Sequence, residues 1–333
     1  MTTPGPALAV EPLLRVEGLA KRVSLVDGLL GARGEVLPAL RGVTFEIARG
    51  QTLGLVGESG SGKTTAGRIV ARLVRPDSGR IFFDGADWLA LSGGALRRRR
   101  RELQVVFQDP QNSLNPRMQA GDQIAEPLRV QGLARGRALG ERVAQLLADV
   151  GLGAETASRF PSELSGGQRQ RVAIARALAT SPRLVVCDEP VSALDVSVGA
   201  QIVNLLLDLR ERAGLSYLFI SHDLAVVSRV TDRIAVFYLG AIVEEGPAPA
   251  ICSRPLHPYT FALVAAAAEP GPSAGRPRAV LPGELPSAVN PPAGCHFHPR
   301  CPIARPRCRQ EAPALSEAAA GHRVSCFYPG EMG

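Results

Sequence analysis

The run Gly57-Glu58-Ser59-Gly60-Ser61-Gly62-Lys63-Thr64 follows a short apolar stretch at residues 52–56 and precedes sequence with a helical pattern. Strand, G-x-x-x-x-G-K-[ST], helix is an arrangement that cradles polyphosphate. The glycines admit positive φ, so that successive backbone N–H groups turn inward, and the following helix adds the positive end of its dipole. Lys63 is expected to reach the β- and γ-phosphates of a nucleoside triphosphate and the Thr64 hydroxyl to ligate Mg²⁺, with Thr65 beside them. A plain glycine turn would not need that lysine. Of 38 Lys plus Arg, only Lys21 and Lys63 are lysines, and one of the two stands where a compact ammonium is required and a planar guanidinium fits poorly.

A second chemical pair lies far downstream. Leu184-Val185-Val186-Cys187-Asp188-Glu189 reads as an apolar strand ending in two acids, and acids at the carboxyl end of a parallel strand sit where nucleotides bind. Asp188 is suited to hold Mg²⁺, largely through water, and Glu189 to polarise an attacking water as a base. A lone acidic pair often does no more than cap a turn; beside a phosphate loop the catalytic reading is stronger.

These residues need a sheet to hold them, and the chain is long enough to build one. With 333 residues, 45% of them hydrophobic, it has material for a full core and, by length, roughly two domains. Residues 1–245 alternate between strand and helix patterns, which predicts an α/β domain with helices packed on a largely parallel sheet. Strands are expected at residues 43–47, 52–56, 80–83, 103–107, 184–187 and 217–220, and helices at 64–74, 138–150, 168–179 and 197–212. Between about residues 108 and 161 the strands stop and helix-forming sequence takes over, as in a helical subdomain inserted into the sheet domain. From residue 246 onward a short helix near 260–268 is followed by sequence too rich in Pro and Gly for regular structure, a linker or wrapped surface segment. No repeat of solenoid length is visible.

The formal charge is +7 and Arg97 to Arg101 are consecutive arginines. Because arginine serves nearly everywhere that this chain wants a cation, the run reads as a solvated face, and nucleic acid is not an expected partner. No apolar stretch is long enough to span a bilayer, and the opening residues lack an export signal, so the chain is expected to work in the cytoplasm.

Between the two chemical sites lies Leu164-Ser165-Gly166-Gly167-Gln168, followed by Arg169-Gln170-Arg171 and a helical pattern. Gln108 follows the predicted strand at 103–107, Ser192-Ala193-Leu194-Asp195 follows the acids, and His222 follows the strand at 217–220. In this order and spacing the chain resembles the ATP-binding cassette proteins, P-loop nucleoside triphosphatases with a helical subdomain insertion. The resemblance implies ATP and Mg²⁺ sandwiched between two cassettes. Ser165, Gly166, Gly167 and Gln168 of one subunit would contact the γ-phosphate held by the loop of the other. Gln108 would sense Mg²⁺ and water and couple to a membrane partner, His222 would help to orient the catalytic water, and Asp195 would tie the halves together. Glu189, His222, Gly166 and Gly167 are all present, so an active rather than an inert cassette is expected. One position departs from the pattern. Where family members place an aromatic residue to stack on adenine, this chain has Val23, and GTP is therefore expected to compete measurably with ATP.

The tail narrows the resemblance. His257-Pro258-Tyr259-Thr260, Gly283-Glu284-Leu285-Pro286-Ser287 and Pro291-Pro292-Ala293-Gly294-Cys295-His296-Phe297-His298-Pro299-Arg300-Cys301-Pro302 are similar to the tail of dipeptide/oligopeptide importer ATPases. Phe107-Gln108-Asp109-Pro110 and Ser113-Leu114-Asn115-Pro116 resemble the same subfamily. The resemblance implies a second ATPase subunit, identical or not, two transmembrane permease subunits and, indirectly, an extracellular solute-binding protein, with the chain peripheral on the cytoplasmic face of the membrane. Relatives that import nickel, other metals or sugars keep those cargoes open, as does a non-transport ATPase linked to nucleic acid. Cys295, Cys301, Cys308 and Cys326 crowd the tail without a C-x-x-C pair. Four thiolates can hold an iron–sulfur cluster, and some members of the subfamily carry a 4Fe-4S cluster here. Zinc with help from His296, His298 or His322, reduced structural thiols and disulfides are the alternatives.

Overall fold

The computed structural model describes residues 11–24, 36–109, 113–267 and 286–331. Pro110, the segment at 268–285 that reads as a linker, and Gly283 to Leu285 of the tail pattern lie outside these residues.

The apolar run Thr52–Val56 forms β3, buried at every position. It lies in an eight-stranded sheet with β6 (Leu103–Val106), β7 (Leu184–Asp188), β8 (Ser216–Ile220), β9 (Arg233–Tyr238), β10 (Ala241–Pro247), β11 (Ser316–Ala319) and β12 (His322–Val324), in the order β11-β12-β10-β9-β3-β8-β7-β6. Strands β9, β3, β8, β7 and β6 are mutually parallel; β10, β12 and β11 extend the sheet antiparallel. Continuous apolar strands are expected where both faces are covered, and the alternation of side chains confirms it. Leu53, Leu55, Val186, Leu218 and Ile220 share one core with Ala66, Ile69 and Val70 of α1 (Lys63–Val70). Val56, Val185, Cys187, Tyr217 and Phe219 share the other with α5 (Gly166–Leu178) and α6 (Val196–Ala213).

A second sheet covers α1 from the far side. Strands β1 (Leu14–Ser24), β2 (Val36–Ile47), β4 (Ser78–Phe83) and β5 (Ala86–Asp87) pair antiparallel in the order β2-β1-β4-β5. Trp88, fully buried just beyond β5, packs 5.3 Å from the Phe83 ring and donates its indole N–H to Val70 at 2.8 Å, which caps the end of α1. This sheet departs from the single, largely parallel sheet that the sequence predicts. The helix expected over 64–74 also stops early. Arg72 turns left-handed at φ 55°, and its guanidinium donates to the Trp88 and Leu91 carbonyls at 2.7 Å each.

After β5 comes α2 (Gly93–Arg99), whose arginines are engaged locally: Arg99 pairs with Glu102 at 2.7 Å and Arg97 donates to the Val130 carbonyl at 2.8 Å. Between β6 and α5 the chain forms α3 (Ala120–Gln131) and α4 (Gly136–Asp149). A short α7 (Leu224–Val230) follows β8. The residue expected to close the first domain, Glu245, falls inside β10. Beyond it lie α8 (Ala248–Ser253), α9 (Pro258–Ala267) and α10 (Pro306–Gln310), and the β11–β12 hairpin returns to pair with β10. The tail therefore contributes strands to the main sheet, where the sequence predicts loops. Among the described residues no helix is long and apolar enough to cross a membrane.

Candidate active site

The loop from Gly57 to Thr64 connects β3 to α1, as the spacing predicts. Gly57, Gly60 and Gly62 have φ of 151°, 78° and 105°. A side chain at Gly57 would meet the Phe237 carbonyl oxygen at 2.2 Å, and one at Gly62 the Ala39 carbonyl oxygen at 2.4 Å, so both positions need glycine for space as well as for conformation. Lys63 is buried and donates to the Gly57 carbonyl at 2.7 Å, the Glu58 carbonyl at 2.9 Å and Ser61 Oγ at 3.2 Å. Burial lowers its ammonium pKa to about 8, against the opposing pull of Glu189, Asp188 and Glu58. The ammonium is thus held by loop oxygens within the loop itself.

The acids stand at the carboxyl end of β7, directly across from the loop. Thr64 donates its hydroxyl to Asp188 Oδ1 at 2.9 Å, bringing together two oxygen donors of the kind that a hard divalent cation takes. Burial raises the Asp188 pKa, and the Thr64 hydrogen bond and Arg68 oppose that shift. Glu189 sits in the left-handed region at φ 47°, with its N–H donating to the Ile220 carbonyl on β8 at 2.9 Å. Such conformations persist in non-glycine residues only where the surroundings hold them. Gln108 Nε2 donates to Glu189 Oε2 at 2.8 Å, and His222 Nδ1 lies 3.3 Å from Glu189 Oε1. The carboxylate expected to act as base is thus gripped on one oxygen by Gln108 and flanked on the other by His222, each arriving from the end of a different strand.

Ser165 caps α5, accepting from the Gln168 N–H at 3.2 Å while the Gln168 side chain accepts from the Ser165 N–H at 2.9 Å. The first-turn N–H groups of α5 are presented at Gly166 and Gly167. Asp195 caps α6, accepting from the Val198 N–H at 2.9 Å and the Ser197 hydroxyl at 2.8 Å, which lower its pKa. A side chain at Gly167 would meet Val198 Cγ1 at 2.6 Å, so these two helix starts pack on each other. Among the described residues, no hydrogen bond or ion pair joins Ser165, Gly166, Gly167, Gln168 or Asp195 to the phosphate loop. Thr65, in the first turn of α1, is half-buried. Val23 is 39% exposed and pairs across β1–β2 with Leu37, offering an aliphatic surface and no ring.

The tail brings its four cysteines to one place. Cys295, Cys301, Cys308 and Cys326 carry free thiols and together line a pocket with His257, Phe297, His298 and Tyr328. Burial pushes the Cys295 and Cys301 thiols up, and burial with the neighbouring thiols pushes Cys326 up to about 11. Among the described residues no group of three or more His, Cys, Asp or Glu is set to hold a metal ion. The four thiols share one pocket lining without forming such a group.

Two side chains that sequence reasoning did not assign to the site also reach it: Tyr259 and Arg300 contact Glu58. Tyr259 and Arg300 stand in tail patterns that carried only a family likeness.

Comparison with known proteins agrees with this geometry. The ABC transporter family matches residues 40–192, and the family described as the C-terminal region of oligopeptide/dipeptide transporters matches residues 243–308. A probable peptide ABC transporter ATP-binding protein of Sinorhizobium fredii is 50% identical over 95% of this chain and 90% of its own. The oligopeptide transport ATP-binding protein AppF of Bacillus subtilis is 47% identical over 95% of this chain and 97% of its own. The dimeric post-hydrolysis structure of the ATP-binding cassette MJ0796, bound to ADP and Pi, superposes with a TM-score of 0.62 at 30% identity, covering 71% of this chain and 98% of that one. The chain belongs to the ATP-binding proteins of ABC transporters, in the branch that carries the oligopeptide/dipeptide transporter C-terminal region.

Proposed function

We propose that this chain is the ATP-hydrolysing subunit of a membrane importer of dipeptides or oligopeptides. The observation that carries the reading is the 2.9 Å hydrogen bond from Thr64 to Asp188, which unites the phosphate loop and the acid pair in one site. The cargo class rests on relatives named as peptide transport proteins and on the tail that this chain shares with them.

In this reading Lys63 and the N–H groups of Gly57 to Thr65 bind the phosphates of ATP, and Thr64 and Asp188 hold Mg²⁺ with Gln108. The metal supplies charge neutralisation at the phosphates. Glu189 takes the proton of the attacking water, which is oriented by His222 and Gln108. Ser165, Gly166, Gly167 and Gln168 complete the site of a second cassette, where the capped start of α5 meets the γ-phosphate, and Asp195 lies at the seam. The isolated chain is therefore half of each catalytic unit. The two helices α3 and α4 form the inserted helical subdomain and, with Gln108, face two permease subunits at the cytoplasmic side of the membrane. An extracellular solute-binding protein delivers the peptide. Residues 246–333 form the importer-type extension, whose four thiols carry a 4Fe-4S cluster that pins the segment in place.

Isolation of the intact complex from membranes under anaerobic conditions tests the assignment. Co-purification of two permease subunits and a peptide-loaded binding protein, with about four irons per chain, is the expected result. Nickel or sugar on the binding protein would overturn the cargo, DNA in place of permeases would overturn transport, and iron-free, colourless protein with intact thiols would overturn the cluster.

A further inference from the structure

Glu58, the second residue of the phosphate loop, is held by the tail on both its backbone and its side chain. Its N–H donates to the Tyr259 hydroxyl at 2.8 Å. Its carboxylate accepts from both terminal nitrogens of Arg300, Oε2 from NH1 at 2.8 Å and Oε1 from NH2 at 3.0 Å. The Arg300 side chain is only 6% exposed and that of Glu58 30%. The bidentate Glu58 contact raises the guanidinium pKa above its ordinary value despite burial. The Tyr259 and Phe297 rings pack against Tyr238, the last residue of β9, tilted at 4.8 Å and edge-on at 5.3 Å between centroids. Arg300 donates its own N–H to the Phe297 carbonyl at 3.0 Å and is followed directly by Cys301 of the thiol pocket.

The electrostatic consequence is specific. A loop built to receive polyphosphate carries a carboxylate at its second position, and that negative charge opposes the ligand unless a cation covers it. Arg300, more than 240 residues away in sequence and shielded from water, is that cation. We infer that Arg300, with Tyr259, is a positioning residue for ATP: it neutralises and fixes Glu58, so that the thiol-lined tail sets nucleotide affinity within its own chain. The inference rests on the reading of Gly57 to Thr64 as the nucleotide site.

The test is Mg-ATP binding to the full chain, with circular dichroism as the check on folding. Arg300→Ala should weaken binding about tenfold, and the loss should shrink as salt screens the exposed carboxylate. Glu58→Gln added to Arg300→Ala should restore most of the affinity, because it removes the anion that was left uncovered. A purely structural role for Arg300 would give no such rescue and no salt dependence. Arg300→Lys, which keeps the charge and loses the fork, should fall between; it carries the same comparison if the alanine variant does not fold. Unchanged affinity in Arg300→Ala, or a double variant as weak as the single one, overturns the inference. Lys63→Ala is the reference. If it abolishes binding while Arg300→Ala has no effect, the nucleotide site stands and the inference alone falls; if it binds ATP like the parent, both fall.

Discussion

In the proposed site Lys63 is the cation on which phosphate binding turns, and its environment would make that binding depend on pH. Burial holds its pKa at about 8 in the free site. Bound phosphate oxygens favour the ammonium, so below pH 8 binding needs no proton, while above it each binding event takes one up. ATP affinity should therefore be flat from pH 6.5 to 7.5 and fall by up to about tenfold per unit above pH 8. Binding titrations across that range check it; affinity that is flat to pH 9.5 would show that burial does not bring the Lys63 pKa down to about 8. Val23, which the family resemblance assigns to the adenine end, is aliphatic and 39% exposed. Without ring stacking, worth roughly 1–3 kcal/mol per base, GTP should compete with ATP within about tenfold, and a larger preference for ATP in competition binding would refute this. The phosphate loop, the acid pair and the Ser165–Gln168 helix start were legible in sequence because each is a short run whose local structure depends on immediate neighbours. The Arg300–Glu58 pair was not, because neither residue type nor spacing reports a contact across 242 positions.

At the scale of elements, the same distinction separates what sequence shows from what it hides. Buried parallel strands announce themselves as apolar runs, and β3, β7 and β8 were expected within a residue or so of their observed bounds. The antiparallel sheet and the tail hairpin depend on pairing between distant segments, and β11 is exposed throughout, with no apolar signature. Helix α3 carries Pro127 in its interior, which reads locally as a break. What attaches the hairpin is equally nonlocal. Glu244, fully buried on β10, accepts from the Leu256 N–H at 2.7 Å and the His257 N–H at 2.9 Å, and lies 2.7 Å from His322 Nε2 on β12. Its neighbour Glu245 pairs with Arg233 at 2.6 Å and also with Arg323. Glu244→Ala would strand two N–H groups and the His322 ring, so urea denaturation should register a loss of about 3–5 kcal/mol. A loss below about 1 kcal/mol would mean that the hairpin is not anchored there.

For the whole molecule, the site residues divide into two sets on one chain. The phosphate loop, Asp188, Glu189, Gln108 and His222 are joined by short hydrogen bonds and contacts around one cradle. Ser165 and Asp195 cap helices elsewhere, and among the described residues no hydrogen bond or ion pair joins residues 165–168 or Asp195 to that cradle. In the proposed function, such a chain does its chemistry between two copies or relatives of itself, and the bonds that ATP makes across the seam are what a permease feels as movement. Glu189 is the residue on which hydrolysis turns in the proposed mechanism, because as the base for the attacking water it serves the splitting of ATP rather than its binding. Phosphate release by the purified transporter carrying Glu189→Gln, compared with the parent, tests this most directly. ATP should stay bound while turnover falls about 100-fold or more; turnover at the parent rate would contradict the role of Glu189 as base.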